Sequence, residues 1–324
     1  MDIHSRIIGC GSYLPGNPIT NHMLEEKIDT SDEWIKTRTG ISQRHYAGDD
    51  EFTSDMALIA AERAINHAGI DSSEIDLIVV GTTTPDRTFP ATAVRLQKAL
   101  GCKTGAAFDV QAVCSGFIYA ISIVNSMIKT KQCKKALVVG ADTLSRLLNW
   151  EDRTTCVLFG DGAGAVVLEA NREGANGTKS GIISTHIHSD GNYEDLLYCD
   201  GGPSTNQKSG FIKMEGKEVF RHAVNNLAAV VQEILDKNKL KSEEIDWLVP
   251  HQANRRIIES TAKKLKMPLS KVILTVDKHA NTSAASIPLA LDYAIKKNKI
   301  KSGDLVLMEA MGGGLTWGAS LVRM

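Results

Sequence analysis

Three side chains in this sequence have the types and settings of reacting groups: Cys114, His251 and Asn281. Cys114 ends a stretch, Ala106-Ala107-Phe108-Asp109-Val110-Gln111-Ala112-Val113-Cys114, that starts apolar like a buried strand. After Ser115-Gly116-Phe117 the period changes, with Ile118, Ile121, Val124 and Ile128 at helical spacing. The Cys therefore sits where a strand turns into a helix. Backbone N–H groups and the helix dipole at such a place favour negative charge, which predicts a thiol that ionises near neutral pH to the nucleophilic thiolate. The plainer alternative is a small buried Cys used for packing. His251 follows the apolar run ending Val249-Pro250, at a strand end where α/β proteins place ligands, although a lone His is more often a structural residue. Asn281 stands in Ala280-Asn281-Thr282-Ser283-Ala284-Ala285-Ser286, a small, polar strand-to-helix junction where an Asn would otherwise be a helix cap. Gly312-Gly313-Gly314 ends a strand and is either a mobile turn or backbone that donates N–H groups to an oxyanion. Cys, His and Asn fit two chemistries: acyl transfer in which His and Asn polarise a carbonyl, and thiol hydrolysis in which Asn orients His.

The elements that must carry these residues alternate. Strands are expected at Ser5 to Cys10, Ile75 to Val80, Ala106 to Val110, Ala136 to Val139, Ala165 to Leu168 and Leu305 to Ala310. Helices are expected after the caps Thr30-Ser31-Asp32-Glu33 and Thr53-Ser54-Asp55, the second stopped by Gly69, and again from Ala91 to Leu100. Unbroken apolar strands between helices predict a parallel α/β sheet covered on both faces. Residues 171–178 are polar and aperiodic and read as a boundary loop, dividing the chain into halves 1–171 and 172–324. The pattern then repeats. Ser73-Glu74-Ile75-Asp76-Leu77 matches Glu243-Glu244-Ile245-Asp246-Trp247, and the strand Phe108-Asp109-Val110 matches Thr275-Val276-Asp277. Ala136 to Gly140 matches Leu305 to Glu309, and Phe159-Gly160 matches Trp317-Gly318. Cys114 then falls opposite Asn281. Two similar halves about a pseudo-two-fold axis bring the paired elements together, with His251 and Asn281 converging as two donors from the second half. This favours acyl transfer over hydrolysis.

With 324 residues the chain can hold two sizeable cores, and a net charge of −1 gives no global pull towards nucleic acid. No apolar run is long enough to span a membrane, and the N-terminus lacks a signal-like apolar segment. Cys10, Cys102, Cys114, Cys133, Cys156 and Cys199 form no C-x-x-C pair and read as reduced thiols of a cytoplasmic protein, not as a metal site.

These motifs resemble the thiolase superfamily and, within it, the β-ketoacyl-acyl-carrier-protein synthase III family that initiates bacterial fatty acid synthesis. The resemblance spans nearly the whole chain. It is carried by Ser31-Asp32-Glu33-Trp34-Ile35 with Thr37-Arg38-Thr39-Gly40-Ile41, Gly81-Thr82-Thr83-Thr84-Pro85-Asp86, Val113-Cys114-Ser115-Gly116-Phe117, His251-Gln252-Ala253-Asn254, Asn281 to Ser286, and Gly312 to Gly314 with Thr316-Trp317-Gly318. It implies a layered α-β-α-β-α thiolase-like fold and a catalytic triad of Cys114, His251 and Asn281. It implies an oxyanion hole from the N–H groups of Cys114 and Gly313. It further implies coenzyme A contacts at Trp34, Arg38, Arg153 and Asn254, and a carrier-protein contact at Gln252, Ala253, Asn254, Arg255 and Arg256. The acyl pocket would include Met311, and Phe89 lent across a homodimer. The implied partners are acyl carrier protein, acyl-coenzyme A and a second copy, with no nucleic acid and no membrane. The implied reaction transfers an acetyl primer from coenzyme A to Cys114 and condenses it with malonyl-carrier-protein, losing carbon dioxide and needing no metal or other cofactor. A starter enzyme of a polyketide-type pathway would share these residues; a thiol hydrolase and a non-catalytic acyl binder are the other readings. The sequence departs from the family pattern at Ala280, where Gly is usual, and at Met311 and Leu315, where Phe is usual. These departures bear on primer length.

Overall fold

The computed structural model describes residues 3–103, 105–172 and 180–324. In chain order it forms strand β1 (Ile3–Tyr13), strand β2 (Ile19–Thr20), helices α1 (Asn21–Glu25) and α2 (Asp32–Thr39), strand β3 (Gln43–Arg44), helix α3 (Thr53–Ala68), strand β4 (Leu77–Gly81), helix α4 (Thr92–Leu100), strand β5 (Ala106–Val110), helix α5 (Gly116–Lys129), and strands β6 (Lys135–Asp142) and β7 (Gly162–Arg172). Strand β8 (Gly181–Ser189) follows, then a hairpin of β9 (Leu197–Gly202) and β10 (Lys208–Met214), helix α6 (Gly216–Asn238), strand β11 (Trp247–Pro250), helices α7 (Arg255–Lys264), α8 (Val276–His279) and α9 (Ser286–Lys296), and strands β12 (Leu305–Gly312) and β13 (Thr316–Arg323). The expected boundary loop lies, from residue 173 to 178, outside the described residues. No helix among the described residues is long and apolar enough to cross a membrane.

Two sheets run β1-β7-β6-β4-β5 and β11-β12-β13-β8. Between them lie α5 and α9. Phe117, Ile118, Ile121, Val124 and Ile128 of α5, with Ile287, Ala290, Leu291 and Ala294 of α9, pack against Leu77, Val79, Val138 and Val166 of one sheet and Val249, Val306, Met308 and Val322 of the other. Each such large side chain contributes roughly 1.5–3 kcal/mol when fully buried. Helices α3 and α4 cover the outer face of the first sheet, and α6 and α7 that of the second, completing five layers. The central helices come very close to the sheets. A Cβ at Gly140 would stand 2.2 Å from the Ala284 carbonyl oxygen, so only glycine admits the start of α9 there.

The first expected cap forms: Ser31 Oγ accepts the Trp34 N–H (3.0 Å). The second does not: Thr53, Ser54 and Asp55 lie inside α3, whose N-cap is Phe52 with no side-chain cap bond, and only Asp55 reaches back to accept the Phe52 N–H (2.9 Å). Gly69 closes α3 with φ of 66°, as expected. The sheets are mixed, not parallel. Strands β4, β5 and β6 are parallel, but β7 is antiparallel to β6 and to β1, and β13 is antiparallel to β12 and to β8. A parallel return needs a crossover of a dozen or more residues, and the three-residue connection from β12 to β13 is far too short for one.

A second difference concerns the match between Phe108-Asp109-Val110 and Thr275-Val276-Asp277. The first is strand β5; the second is no strand, since α8 begins at Val276. Beside β11 there is one isolated bridge, Leu248 to Val272. The Gln252 side chain takes over from the missing ladder. Its Nε2 donates to Pro250 O (2.8 Å) and Ile273 O (3.1 Å), and its Oε1 accepts the N–H groups of Thr275 (2.8 Å) and Val276 (3.0 Å).

Candidate active site

Cys114, His251 and Asn281 line one cavity of about 100 Å³, together with Phe159, Val219, Phe220, Ala223, Leu227, Ala253, Asn254, Ile257 and Met311. Each reaches it from the end of a different strand or loop. Cys114 sits in a single 3-10 turn, Val113–Ser115, between β5 and α5. Val113 is forced to φ of +48°, a region β-branched residues rarely enter. Gly312 packs against this turn, so that a Cβ there would lie 2.6 Å from the Cys114 nitrogen. Thr316 holds the two together, its hydroxyl donating to Ala112 O (2.9 Å) or to Gly313 O (3.2 Å), while Ser115 Oγ donates to Thr316 O (3.0 Å). The glycine run, Gly313 included, is thereby held beside the nucleophile.

The thiol does not behave as its position at a helix start suggests. Cys114 is buried, and desolvation pushes its pKa up to about 12, with the Asp142 charge adding to the rise. The Ser283 hydroxyl and the Cys114 N–H oppose this without overcoming it. Burial thus works against the ionisation near neutral pH that the helix start favours.

His251 is neutral as well, since burial lowers its pKa to about 3. Its Nδ1 lies 2.6 Å from Ser286 Oγ. Ser286 Oγ also accepts the Gln252 N–H (3.3 Å), and its hydroxyl hydrogen is free to donate to Nδ1. In that tautomer the imidazole proton sits on Nε2, which becomes a donor. Asn281 is fixed in the same sense: its Oδ1 accepts the Ser283 N–H (2.9 Å), so its Nδ2 group is left to donate. Phe159 and Asn281 form a parallel bridge, with Asn281 N donating to Leu158 O (3.0 Å) and Gly160 N to Asn281 O (2.9 Å). The cavity thus presents one sulfur nucleophile and two neutral, oriented donors. Such a set can take up an acyl group and stabilise charge building on a carbonyl oxygen.

The other expected residues divide. Trp34 carries Arg38 4.8 Å and Arg153 5.2 Å from its ring centre, and Arg153 also bonds Asp29. Asn254 caps α7 by accepting the Arg256 N–H (2.8 Å), and its Nδ2 donates to Arg38 O (3.2 Å), tying this patch to the cavity rim. Ala253 is half-buried in the cavity wall. Arg255 and Arg256 are exposed. Arg255 is paired with Glu259 (2.7 Å), whereas Arg256 rests 5.7 Å from the ring centre of Phe220 and makes no ion pair among the described residues. Gln252 is corrected as a carrier-protein contact: it is fully buried, and its amide is consumed by the four bonds that replace the missing ladder. Met311 lines the cavity; Phe89 does not, and is 82% exposed.

Three residues support the site in roles that the sequence did not reveal. Buried Asp142 accepts from Thr83 N (2.8 Å), Thr84 Oγ1 (3.0 Å) and Thr82 Oγ1 (3.1 Å), and from Ala284 N (3.4 Å), joining the ends of β4 and β6 to the Asn281 loop. The signal for it was a carboxylate closing the apolar run Ala136 to Ala141. Ser286 is the second. Glu309 is the third: its carbonyl accepts the His251 N–H (2.7 Å), its carboxyl oxygens have no partner among the described residues, and burial raises its pKa to about 8.

Comparison with known proteins agrees along the whole chain. The family model of 3-oxoacyl-[acyl-carrier-protein] synthase III matches residues 108–191, and that of its C-terminal part matches residues 235–324. The β-ketoacyl-[acyl-carrier-protein] synthase III of Paramagnetospirillum magneticum is 62% identical over 324 residues, covering 100% of both chains. The crystal structure of 3-oxoacyl-[acyl-carrier-protein] synthase III from Aquifex aeolicus superposes with a TM-score of 0.93 at 49% identity, covering 99% of this chain and 100% of that one. The priming β-ketosynthase of the R1128 polyketide pathway gives a TM-score of 0.93 at 33% identity, covering 99% of this chain and 97% of the other. With such matches from end to end, the chain belongs to the β-ketoacyl-[acyl-carrier-protein] synthase III family of thiolase-fold condensing enzymes.

Proposed function

We propose that this condensing enzyme works in two half-reactions on Cys114. In the first, the Cys114 sulfur attacks the carbonyl of acetyl-coenzyme A. Its proton ends on the departing coenzyme A thiol, so no net proton is lost. The oxyanion formed on the way is held by the N–H groups of Cys114 and Gly313. In the second, malonyl-carrier-protein loses carbon dioxide, and the electron pair of the broken bond becomes an enolate. His251 Nε2–H and Asn281 Nδ2–H donate to its oxygen. The enolate carbon attacks the acyl-Cys carbonyl, the carbon–sulfur bond breaks, and the sulfur takes a proton from solvent. Decarboxylation supplies the carbanion, so this chemistry calls for no metal or redox cofactor.

The observation that carries the reading is the pair of neutral donors, His251 and Asn281, fixed beside one thiol in one cavity. A high thiol pKa suits it, because the sulfur released after condensation is promptly reprotonated. In this reading coenzyme A lies across Trp34, Arg38, Arg153 and Asn254, with Arg153 lifting off the Trp34 ring to admit the adenine. The carrier protein docks at Ala253 to Arg256, with Arg256 as its principal charge. The strong exposure of Phe89 supports a second copy that covers it. The unpaired state of all six cysteines supports a cytoplasmic setting.

The test follows label from acetyl-coenzyme A. Radiolabel should appear on Cys114 and then, on adding malonyl-carrier-protein, in a β-ketoacyl product. Release of free acetate instead would identify a hydrolase, and the absence of label on protein would remove Cys114 from the mechanism.

A further inference from the structure

We infer that His186, His188 and Glu233 form a transition-metal site, with Zn²⁺ the best-fitting ion, on the outer edge of the second sheet. None of the three lines the Cys114 cavity. Strand β8 ends that sheet, and His186 and His188 are two residues apart on it, so both rings stand on one face. Helix α6 packs on the same face and brings Glu233 between them. His186 Nδ1 is 2.7 Å from Glu233 Oε1, and His188 Nε2 is 2.7 Å from Oε2. The three ligating atoms lie within 4.8 Å of one another. Zinc ligands at about 2.0–2.2 Å stand about 3.3 Å apart, so an ion entering here has to spread the carboxylate from the rings, and Glu233 is exposed and able to turn.

The surroundings hold both rings. His186 Nε2 lies 3.0 Å from Ser184 Oγ, the kind of outer bond that orients metal-binding imidazoles. The His188 ring stacks on Trp317 at 5.6 Å. From the opposite face α5 pins the strand: Tyr119 OH donates to His188 O (2.7 Å), and Ser122 and Thr185 share a hydrogen bond of 3.0 Å. An ion bound at His186 Nδ1 and His188 Nε2 leaves the other nitrogen of each ring to carry the proton, and His186 Nε2–H then donates to Ser184 Oγ. Two imidazoles and one carboxylate match Zn²⁺ and Co²⁺, whereas Ca²⁺ and Mg²⁺ prefer oxygen-only sites. The ion would tie edge strand β8 to α6, the helix whose Val219, Phe220, Ala223 and Leu227 wall the cavity.

The experiment starts from full-length protein stripped with chelator. Titration with Co²⁺ should give the visible absorption of a tetrahedral complex at one equivalent per chain. Zn²⁺, followed by calorimetry, should compete for the same equivalent and raise the melting temperature. His188→Ala and Glu233→Gln should each abolish the saturable equivalent, with circular dichroism confirming the fold. The exposed position of Glu233 makes the second variant safe against misfolding. Ser184→Ala should weaken binding by about 10- to 100-fold. Cys199→Ser, which removes the exposed thiol, should leave binding unchanged. Absence of a saturable equivalent in the parent, its survival in Glu233→Gln, or its loss in Cys199→Ser would each overturn the assignment.

Discussion

Replacing Glu309 by Gln isolates the energetic consequence of a buried carboxyl with no hydrogen-bond partner among the described residues. In the folded protein its pKa is raised from 4.5 to about 8 by burial alone. Below pH 4.5 folded and unfolded chains both hold the proton, and the group is silent. Between 4.5 and about 8 the folded chain keeps the proton and the unfolded chain has lost it, so stability falls as pH rises, by about 1.4 kcal/mol per unit. Above about 8 both forms are ionised and the loss levels off at roughly 5 kcal/mol, of which roughly 3 kcal/mol is already present at pH 7. Glu309→Gln keeps the shape and removes the titration. The buried amide carries its own cost of about 1–3 kcal/mol if unpartnered, but that cost is independent of pH. The informative quantity is the difference in unfolding free energy between variant and parent. Urea unfolding, followed by circular dichroism at fixed protein concentration and ionic strength, should show this difference growing in the variant's favour by about 1.4 kcal/mol per unit from pH 5 to 8. A difference constant to within about 0.5 kcal/mol over that range would refute the reasoning, since a group titrating identically in both states gives no slope.

Alkylation of Cys114 by iodoacetamide, read by mass spectrometry, should accelerate about tenfold per unit from pH 7 to 10 with no plateau, because only the thiolate reacts; a plateau near pH 7 would restore the low-pKa thiol. Ala280, with φ of 57° and ψ of −159°, occupies backbone space that is nearly reserved for glycine, at a cost of order 1–3 kcal/mol. Ala280→Gly forfeits about 0.8 kcal/mol of methyl burial and a similar unfolded-state entropy term, so relief of the strain should leave stability between a loss of about 0.6 and a gain of about 1.4 kcal/mol in urea unfolding; a loss of about 1.6 kcal/mol, the two costs with no strain to offset them, would show that the turn is relaxed. Arg256→Glu should raise KM for malonyl-carrier-protein by roughly 30-fold at most, the equivalent of about 2 kcal/mol for one attraction lost and one repulsion gained. The defect should shrink at high salt, and acylation by acetyl-coenzyme A should stay near normal. Equal loss of both half-reactions would remove Arg256 from docking.

Cys114, His251, Asn281 and the glycine run were legible because each marks a place where one apolar period stops and another starts. Those breaks are local, and the repeat relates the Cys114 and Asn281 junctions to each other. What stayed hidden depends on closure of the fold. The thiol pKa is set by how deeply Cys114 is buried, which a strand-to-helix junction alone does not determine. The roles of Asp142 and Ser286 arise from bonds to residues far along the chain, Thr82 to Thr84 and His251. The resemblance implies a carrier-protein contact at Gln252, yet its side chain points inward to an unpaired backbone edge. The β9–β10 hairpin gave no signal, since its strands are mostly exposed and carry no strong alternation.

The Gln252 amide has a mechanical consequence. It is fastened on one side to the strand that delivers His251 and on the other to the backbone that leads through α8 to Asn281. The two donors are therefore linked to each other through one buried side chain, and none of its four bonds goes to α7. The pair is braced from inside the fold, by an amide that is fully buried.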